Sequence, residues 1–151
     1  MAVGDYCTRD VVIVSPDADV ASVAELMREY AVGDLVVVRR EGDREIPIGI
    51  VTDRDLVIKV LAVQVDPLAV TAGDLMSADL VTVSEEAELL DVTARMRRKA
   101  VRRVVVVDRQ GVLVGILALD DVLELLSEEI GNLAQISYRQ VEREERLRGL
   151  L

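Results

Sequence analysis

The sequence predicts a mixed α+β fold: two β-α-β-β-α copies packed pseudo-symmetrically as one domain, followed by a C-terminal helix. Three observations support this fold class. The sequence repeats itself, with residue 11 matching residue 80, a shift of 69 positions. Its helical segments show an apolar period of 3.6 residues, and its strand segments are unbroken apolar runs. Because aromatic residues make up only 2% of the chain, we expect an aliphatic core.

The repeat relates the two copies element by element. The matching segments, each 69 positions apart, are 11–15 with 80–84, 20–31 with 89–100, and 35–38 with 104–107. The Gly-Ile pair at Gly49 recurs at Gly115, a shift of only 66, so the first copy carries three extra residues in its hairpin. A hairpin tip tolerates such an insertion well.

Each copy is predicted to form a strand, a helix, a β-hairpin and a closing helix. Ser15 and Ser84 end the first strands, where we expect a turn before the helix. The next strand shows no polar alternation, which predicts burial on both faces. Gly42 and Gly111 mark the hairpin turns.

The domain organisation follows from these elements. A single copy of about 60 residues would bury little core by itself, so the two halves are expected to pack on each other. The closing helices are predicted at about 53–62 and 120–126. The predicted segments are a first copy at 5–62, a linker with a short helix at 63–77, a second copy at 78–126 and a C-terminal helical extension at 127–151. We expect the narrow apolar stripe of the extension to pack against the body or a dimer mate rather than to serve a specific partner.

Composition excludes several classes of function. A net charge of −10 and a pI near 4.5 argue against nonspecific binding to nucleic acid or anionic membranes. The chain has no histidine and one cysteine, Cys7, which excludes an intrachain disulfide, a conventional zinc site and a Ser-His or Cys-His hydrolase. It also has no P-loop motif and no carboxylate pair in a recognisable catalytic frame, so we expect no catalysis. With no apolar run of membrane-spanning length, we expect a cytoplasmic protein. We expect Cys7 to be a small buried residue rather than a redox sensor.

The segment 49–55, where a buried strand meets a helix, admits two interpretations. Thr52, followed three residues later by Asp55, is a variant of the capping box, and its carboxylate suits a helix N-terminus. The same hydroxyl and carboxylate can also hold a ribose. At the matching place in the second copy, Ala118 cannot cap a helix, although Asp121 remains.

Basic residues cluster in the second copy. The six that lie within nine positions are Arg95, Arg97, Arg98, Lys99, Arg102 and Arg103. The helical ones are most simply solvent-facing, whereas Arg102 and Arg103 immediately precede a buried strand. If the copies pack pseudo-symmetrically, this junction lies on the same face as Thr52, where guanidinium groups can hold a phosphate bidentately. Gly33 and Asp34 occupy the matching positions of the first copy and offer no positive charge.

Residues 5–126 resemble a pair of cystathionine β-synthase (CBS) domains, the Bateman module. The resemblance rests on the two β-α-β-β-α copies and their Gly-x-x-Thr-x-x-Asp-type ends at 49–55 and 115–121. The segments most similar to stand-alone pairs of the hypoxic-response type are 52–59, 66–67 and 71–74.

The resemblance implies an adenosine-nucleotide site in a cleft between the copies. In such pairs the motif Asp and Thr hold the ribose, the first strand of the other copy lines the adenine, and basic residues before its central strand meet the phosphates. Carried over position by position, the implied residues are Thr52, Arg54 and Asp55 for ribose and phosphate, Leu80, Val81 and Thr82 for the base, and Arg102 and Arg103 for the phosphates.

A second cleft departs from this pattern. Ala118 lacks the hydroxyl, so Asp121 alone remains for a ribose, while Val12 and Ile13 can still flank a base. The acidic Asp34 stands where a basic residue is expected, and a carboxylate facing a phosphate is unfavourable. We therefore expect one competent site and one weak or empty site.

These inferences favour a non-catalytic regulatory module that senses energy or metabolite state through an adenosine nucleotide and requires no cofactor. AMP is favoured over ADP, ATP and NAD, because three arginines neutralise a monophosphate more readily than a triphosphate without Mg²⁺. The resemblance also implies a homodimer and a regulated partner protein that the sequence does not name. The alternative is a structural or interaction protein that has lost its ligand.

Overall fold

The computed structural model describes residues 1–77 and 79–149 and confirms the mixed α+β class. The strands are β1 Ile13–Val14, β2 Asp34–Glu41, β3 Arg44–Thr52, β4 Thr82–Ser84, β5 Arg103–Val107 and β6 Leu113–Ala118. The α-helical segments are α1 Val20–Tyr30, α2 Asp53–Leu56, α3 Ala72–Leu75, α4 Leu89–Lys99 and α5 Leu119–Leu147. A 3₁₀ turn at Val3–Asp5 precedes β1, and α2 continues as a π-helical turn at Val57–Leu61.

Each copy contributes one three-stranded sheet with its second strand in the middle. The strand orders are β1-β2-β3 and β4-β5-β6. The first two strands of each sheet run parallel, and β2 and β3 form an antiparallel hairpin. Gly42 and Gly111 lie in the hairpin turns with φ of 64° and 79°, a region that favours glycine, so both predicted hairpins are confirmed.

The central strands form the core, as their apolar runs predict. The side chains with no exposed surface in these strands are Leu35, Val36, Val37, Val104, Val105 and Val106. One face of β2 packs on α1 within the first copy, through Leu35 and Val37. The other face packs on the second copy, where Val36 and Val38 join Val105 and Ile116 in a shared cluster. Within residues 1–117, the two copies therefore share one core.

The segment that precedes each copy's first strand packs on the other copy. The Gly73 N–H donates to Pro16 O at 2.9 Å, and the Gly4 N–H donates to Glu85 O at 2.8 Å. Both donors and both acceptors are related by the same shift of 69 positions. The repeat therefore extends back to the 3₁₀ turn at Val3–Asp5, which is equivalent to α3.

The C-terminal part of the chain is one continuous helix. The sequence predicts a closing helix at 120–126 and a further helix after it, but α5 runs unbroken from Leu119 to Leu147. Gly131 does not interrupt it, because a single glycine costs a helix only about 1 kcal/mol. From Ala118 onward the chain forms a second compact unit. Its stripe residues Ile130, Leu133 and Val141 are more than half exposed, so the identity of their partner stays a prediction.

None of the helices in the described part of the chain combines the length and apolarity that a membrane span requires.

Candidate functional site

One cavity within residues 1–117 gathers most of the predicted site residues. Its volume is about 470 Å³, within the roughly 300–1,000 Å³ of small-molecule sites. The lining residues are Ile50, Thr52, Asp53, Arg54, Asp55, Ser77, Asp79, Leu80, Val81, Val101, Arg102 and Arg103. The structure thus brings the end of β3 in the first copy and the start of β5 in the second to one face, as the pseudo-symmetry predicts.

The helix cap predicted at Thr52 is formed. The Thr52 hydroxyl accepts a hydrogen bond from the Asp55 N–H at 3.2 Å, and Asp55 Oδ2 accepts one from the Thr52 N–H at 2.9 Å. The hydroxyl also donates to Asp55 Oδ2 at 3.1 Å. The capping interpretation is therefore confirmed. It leaves ribose binding open, because each carboxylate oxygen offers two lone pairs.

Lys59 holds the other oxygen of Asp55. Its ammonium lies 3.0 Å from Asp55 Oδ1 and also donates to Leu75 O at 3.0 Å. Burial raises the pKa of Asp55, but hydrogen bonds from the Thr52 N–H, Lys59 and the Thr52 hydroxyl outweigh burial and hold that pKa below its ordinary value. The carboxylate is therefore ionised at neutral pH, and Oδ1 keeps a lone pair for a hydroxyl donor such as a sugar.

Arg103 is paired with Asp34, the residue at the matching position of the first copy. Arg103 Nε lies 2.5 Å from Asp34 Oδ2, and the two side chains are 35% and 21% exposed. The sequence analysis assigned Asp34 to the second cleft, whereas the structure joins it to a residue that lines the first. A partly exposed ion pair contributes about 1 kcal/mol or less to stability. Its larger effect is on the electrostatic potential of the cavity.

The described lining of the cavity is balanced in charge. Its charged side chains are Arg54, Arg102 and Arg103 on the positive side and Asp53, Asp55 and Asp79 on the negative side. A surface that mixes three cations with three anions attracts a polyphosphate far less than an arginine cluster would. The cavity is therefore suited to a ligand of low net charge.

The apolar wall of the cavity is formed by Leu80 and Val81 of the second copy together with Ile50 of the first. Val81 is 8% exposed, and Ile50 and Leu80 pack against the cluster that the two copies share. Thr82 departs from the prediction: it begins β4, pairs with Val105 and is not part of the cavity lining. Seven of the eight residues predicted for this cleft therefore lie around one cavity.

Two of the residues predicted for the second cleft lie within residues 1–117. Val12 and Ile13 line a separate cavity of about 340 Å³. Four residues that line this cavity are equivalent, by the shift of 69, to four that line the first cavity. The pairs, with the residue of the smaller cavity first, are Asp10 and Asp79, Val11 and Leu80, Val12 and Val81, and Val32 and Val101. Asp121 belongs to the C-terminal unit, where its Oδ2 accepts a hydrogen bond from the Ala118 N–H at 2.8 Å. The second site stays a prediction.

Three charged residues beside the first cavity, Asp53, Lys59 and Asp79, were not predicted from the sequence. Lys59 could have been found, because it stands four residues after Asp55 in a predicted helix, a spacing that brings side chains together. The repeat shift had identified Asp34 as the equivalent of Arg103, but it does not indicate that the two residues form an ion pair. Asp79 lies just before β4 at the start of the second copy, and no sequence pattern points to it. In residues 1–77 and 79–149, no group of three or more acidic, cysteine or histidine side chains forms a metal site.

Known proteins resemble this chain in sequence and in fold. Hypoxic response protein 1 of Mycobacterium tuberculosis is 34% identical over 124 residues, which cover 82% of this chain and 84% of that protein. An uncharacterised protein of Methanopyrus kandleri is 38% identical over 125 residues, which cover 83% of this chain but 62% of that protein. A CBS domain protein of Pyrobaculum aerophilum, solved in complex with AMP, superposes with a TM-score of 0.71 at 27% identity, covering 84% of this chain and 99% of that one.

The family profile of the CBS domain matches the chain twice, at residues 3–62 and 72–128. The second match starts at Ala72, the residue equivalent to Val3, and so agrees with the extended repeat seen in the structure. The chain therefore belongs to the CBS domain family and contains two CBS domains.

Proposed function

We propose that this chain is a regulatory module that binds an adenosine nucleotide, with AMP favoured over ADP, ATP and NAD, and performs no catalysis. The observation that carries the proposal is the cavity that joins Thr52 and Asp55 of one copy to Arg102 and Arg103 of the other. The related P. aerophilum protein was solved with AMP, which supports the choice of ligand class.

Each part of an adenosine monophosphate has a chemically matched wall in the cavity. The free lone pair of Asp55 Oδ1 can accept a ribose hydroxyl, since Thr52 and Lys59 hold the carboxylate in place. The aliphatic wall of Leu80 and Val81 offers an apolar surface to adenine. The phosphate would lie toward Arg102 and Arg103, because guanidinium groups bind phosphate strongly.

The proposed regulation acts through a second polypeptide in the cytoplasm. The cavity is built from both copies, so a ligand that bridges them favours the arrangement in which their walls are closest. We further propose that two such chains form a homodimer that transmits this change. The support is an exposed apolar patch formed by Val57, Leu61, Val63 and Leu68.

The matched aspartates of the two copies provide the test. Asp55 and Asp121 each accept a hydrogen bond from the N–H three residues before them, so replacing either by alanine removes an equivalent cap contact. We expect AMP to raise the melting temperature of the wild type and of Asp121→Ala in a concentration-dependent way. The melting temperature of Asp55→Ala should not change when AMP is added. Calorimetry with AMP, ADP, ATP, NAD and S-adenosylmethionine, with and without Mg²⁺, would then rank the ligands.

Two results would contradict the proposal. Loss of AMP binding in Asp121→Ala with binding retained in Asp55→Ala would move the site to the second cleft. The absence of any melting-temperature rise across the panel would favour the alternative, a structural or interaction protein without a ligand.

A further inference from the structure

We propose that Asp34 is a specificity residue of the first cleft: by neutralising Arg103, it selects adenosine ligands with one phosphate or none over di- and triphosphates. This inference rests on the proposed nucleotide function and adds a residue that does not line the cavity itself. It assigns Asp34 a role in ligand choice, whereas the sequence had suggested only that Asp34 weakens the second cleft.

The backbone fixes Asp34 beside the cleft. Asp34 is the first residue of β2 and lies directly opposite Thr52 in the β2–β3 ladder. The preceding residue, Gly33, accepts a hydrogen bond from the Asp53 N–H at 2.9 Å. The Asp34 carboxylate is therefore held at the end of the strand pair that presents Thr52 and Asp55, and it reaches Arg103 Nε from there.

The ion pair changes the charge that a ligand meets. Arg103 is one of three arginines in the described lining, and Asp34 cancels its charge at a distance of 2.5 Å. The other two arginines share the lining with Asp53, Asp55 and Asp79, so each further phosphate would add negative charge to a region with little positive charge to spare. A neutral nucleoside is almost indifferent to this potential, whereas a triphosphate is strongly affected.

A purely structural ion pair between the copies is the competing explanation. Both side chains are partly exposed, and pairs of this kind contribute little to stability. Asparagine in place of Asp34 keeps the size of the side chain and an oxygen that can accept from Arg103 Nε, while it removes the charge. The variant Asp34→Asn therefore separates the electrostatic role from the structural one.

The experiment measures affinities by calorimetry for adenosine, AMP, ADP and ATP, without Mg²⁺, in the wild type and Asp34→Asn. We expect the affinity for ATP relative to AMP to rise about tenfold in Asp34→Asn, the order expected when one charge several ångströms from a polyphosphate is removed. The affinity for adenosine is expected to stay unchanged. Asp43→Asn, at the exposed tip of the β2–β3 hairpin, is the matched control, because it changes the net charge equally and far from Arg103.

A double-mutant cycle ties the effect to Arg103. In the background of Arg103→Gln, Asp34→Asn should no longer change the ratio of ATP to AMP affinity. The inference would be overturned if the affinities for all phosphorylated ligands changed equally in Asp34→Asn and Asp43→Asn. It would also be overturned if the ratio of ATP to AMP affinity did not change in Asp34→Asn. Either result would leave the proposed nucleotide site intact. If neither the wild type nor Asp34→Asn binds any of the four ligands, the proposed function and this inference both fail.

Discussion

Thr52 and Ala118 show at the residue scale how the two copies have diverged. Their backbones are nearly identical, with φ and ψ of −111° and 161° at Thr52 and of −100° and 157° at Ala118. In both copies the aspartate three residues later accepts the backbone N–H of this position. The copies therefore differ at the cap only in the hydroxyl that Ala118 lacks.

This difference predicts opposite effects of two substitutions. Thr52→Ala should lower the free energy of unfolding by about 1 kcal/mol, and Ala118→Thr should raise it by a similar amount, because a hydroxyl at the N-cap satisfies an otherwise unpaired backbone N–H. Urea unfolding monitored by circular dichroism measures both changes. A destabilised Ala118→Thr variant would show that the second cap has no room for the hydroxyl.

Cys7 and Met76 are also equivalent, and each packs against a glycine. A Cβ on Gly49 would lie 2.5 Å from Met76 Sδ, and a Cβ on Gly115 would lie 2.7 Å from Cys7 Sγ. The two Gly-Ile pairs that revealed the repeat therefore owe their glycines to close packing rather than to unusual backbone angles. Cys7 is only partly buried, which corrects the prediction of a buried residue, because it packs on Gly115 at the edge of the core.

At the scale of elements, the segments that cross between the copies join them most directly. Val3 has no exposed surface, and its N–H donates to Ala87 O at 2.9 Å. Its equivalent Ala72 is likewise fully buried, in the cluster of the first copy. Each crossing segment therefore leads into one copy but adds an apolar side chain and backbone hydrogen bonds to the other copy.

We predict that Val3→Ala destabilises the chain by about 2 kcal/mol, because it removes two buried methyl groups and leaves a small cavity. Alanine at the equivalent position 72 shows that the backbone there accepts this residue. Leu90→Ala is the control, since Leu90 is 74% exposed on α4 and should change stability little. Thermal unfolding of the three proteins compares them. Equal stability of Val3→Ala and the wild type would mean that the crossing segment is not part of the cooperative core.

At the scale of the whole molecule, an apolar patch lies at the end of the first copy and in the segment that follows it. Its most exposed members are Val57, Leu61, Val63 and Leu68, which are 53–72% exposed and lie in the π-helical turn and the segment after it. Leu61 also lines a groove of about 700 Å³ between α1 and this segment. Exposed apolar patches commonly mark protein interfaces. The patch is the support for the homodimer proposed above.

The homodimer predicts that Leu61→Glu dissociates the protein, because a carboxylate would be buried in the interface without a partner. Sedimentation velocity should then show a dimer for the wild type and a monomer for Leu61→Glu. Leu90→Glu, which introduces the same charge at another exposed leucine, should remain dimeric. A wild-type protein that sediments as a monomer at micromolar concentration would assign the patch to a different protein partner.

The sequence by itself determined the repeat, the strands and helices, the helix cap at Thr52 and the family. These features depend on residues close together in the chain, through apolar periodicity, glycine turns and short motifs, and the shift of 69 residues makes equivalent positions visible. The same shift placed Arg102 and Arg103 on the face of the Thr52 turn, where the structure finds them.

Only the tertiary structure decided which surfaces meet. The repeat shift identifies Gly4 and Gly73 as equivalents, but it does not show that each donates a hydrogen bond to the other copy. It likewise identifies Asp34 and Arg103 as equivalents without showing that they form an ion pair. Those contacts result from packing two sheets on a shared core, and packing depends on shape and charge in three dimensions rather than on order along the chain. The continuity of α5 across Gly131 has a local reason instead, because the cost of one glycine is too small to break a helix of this length.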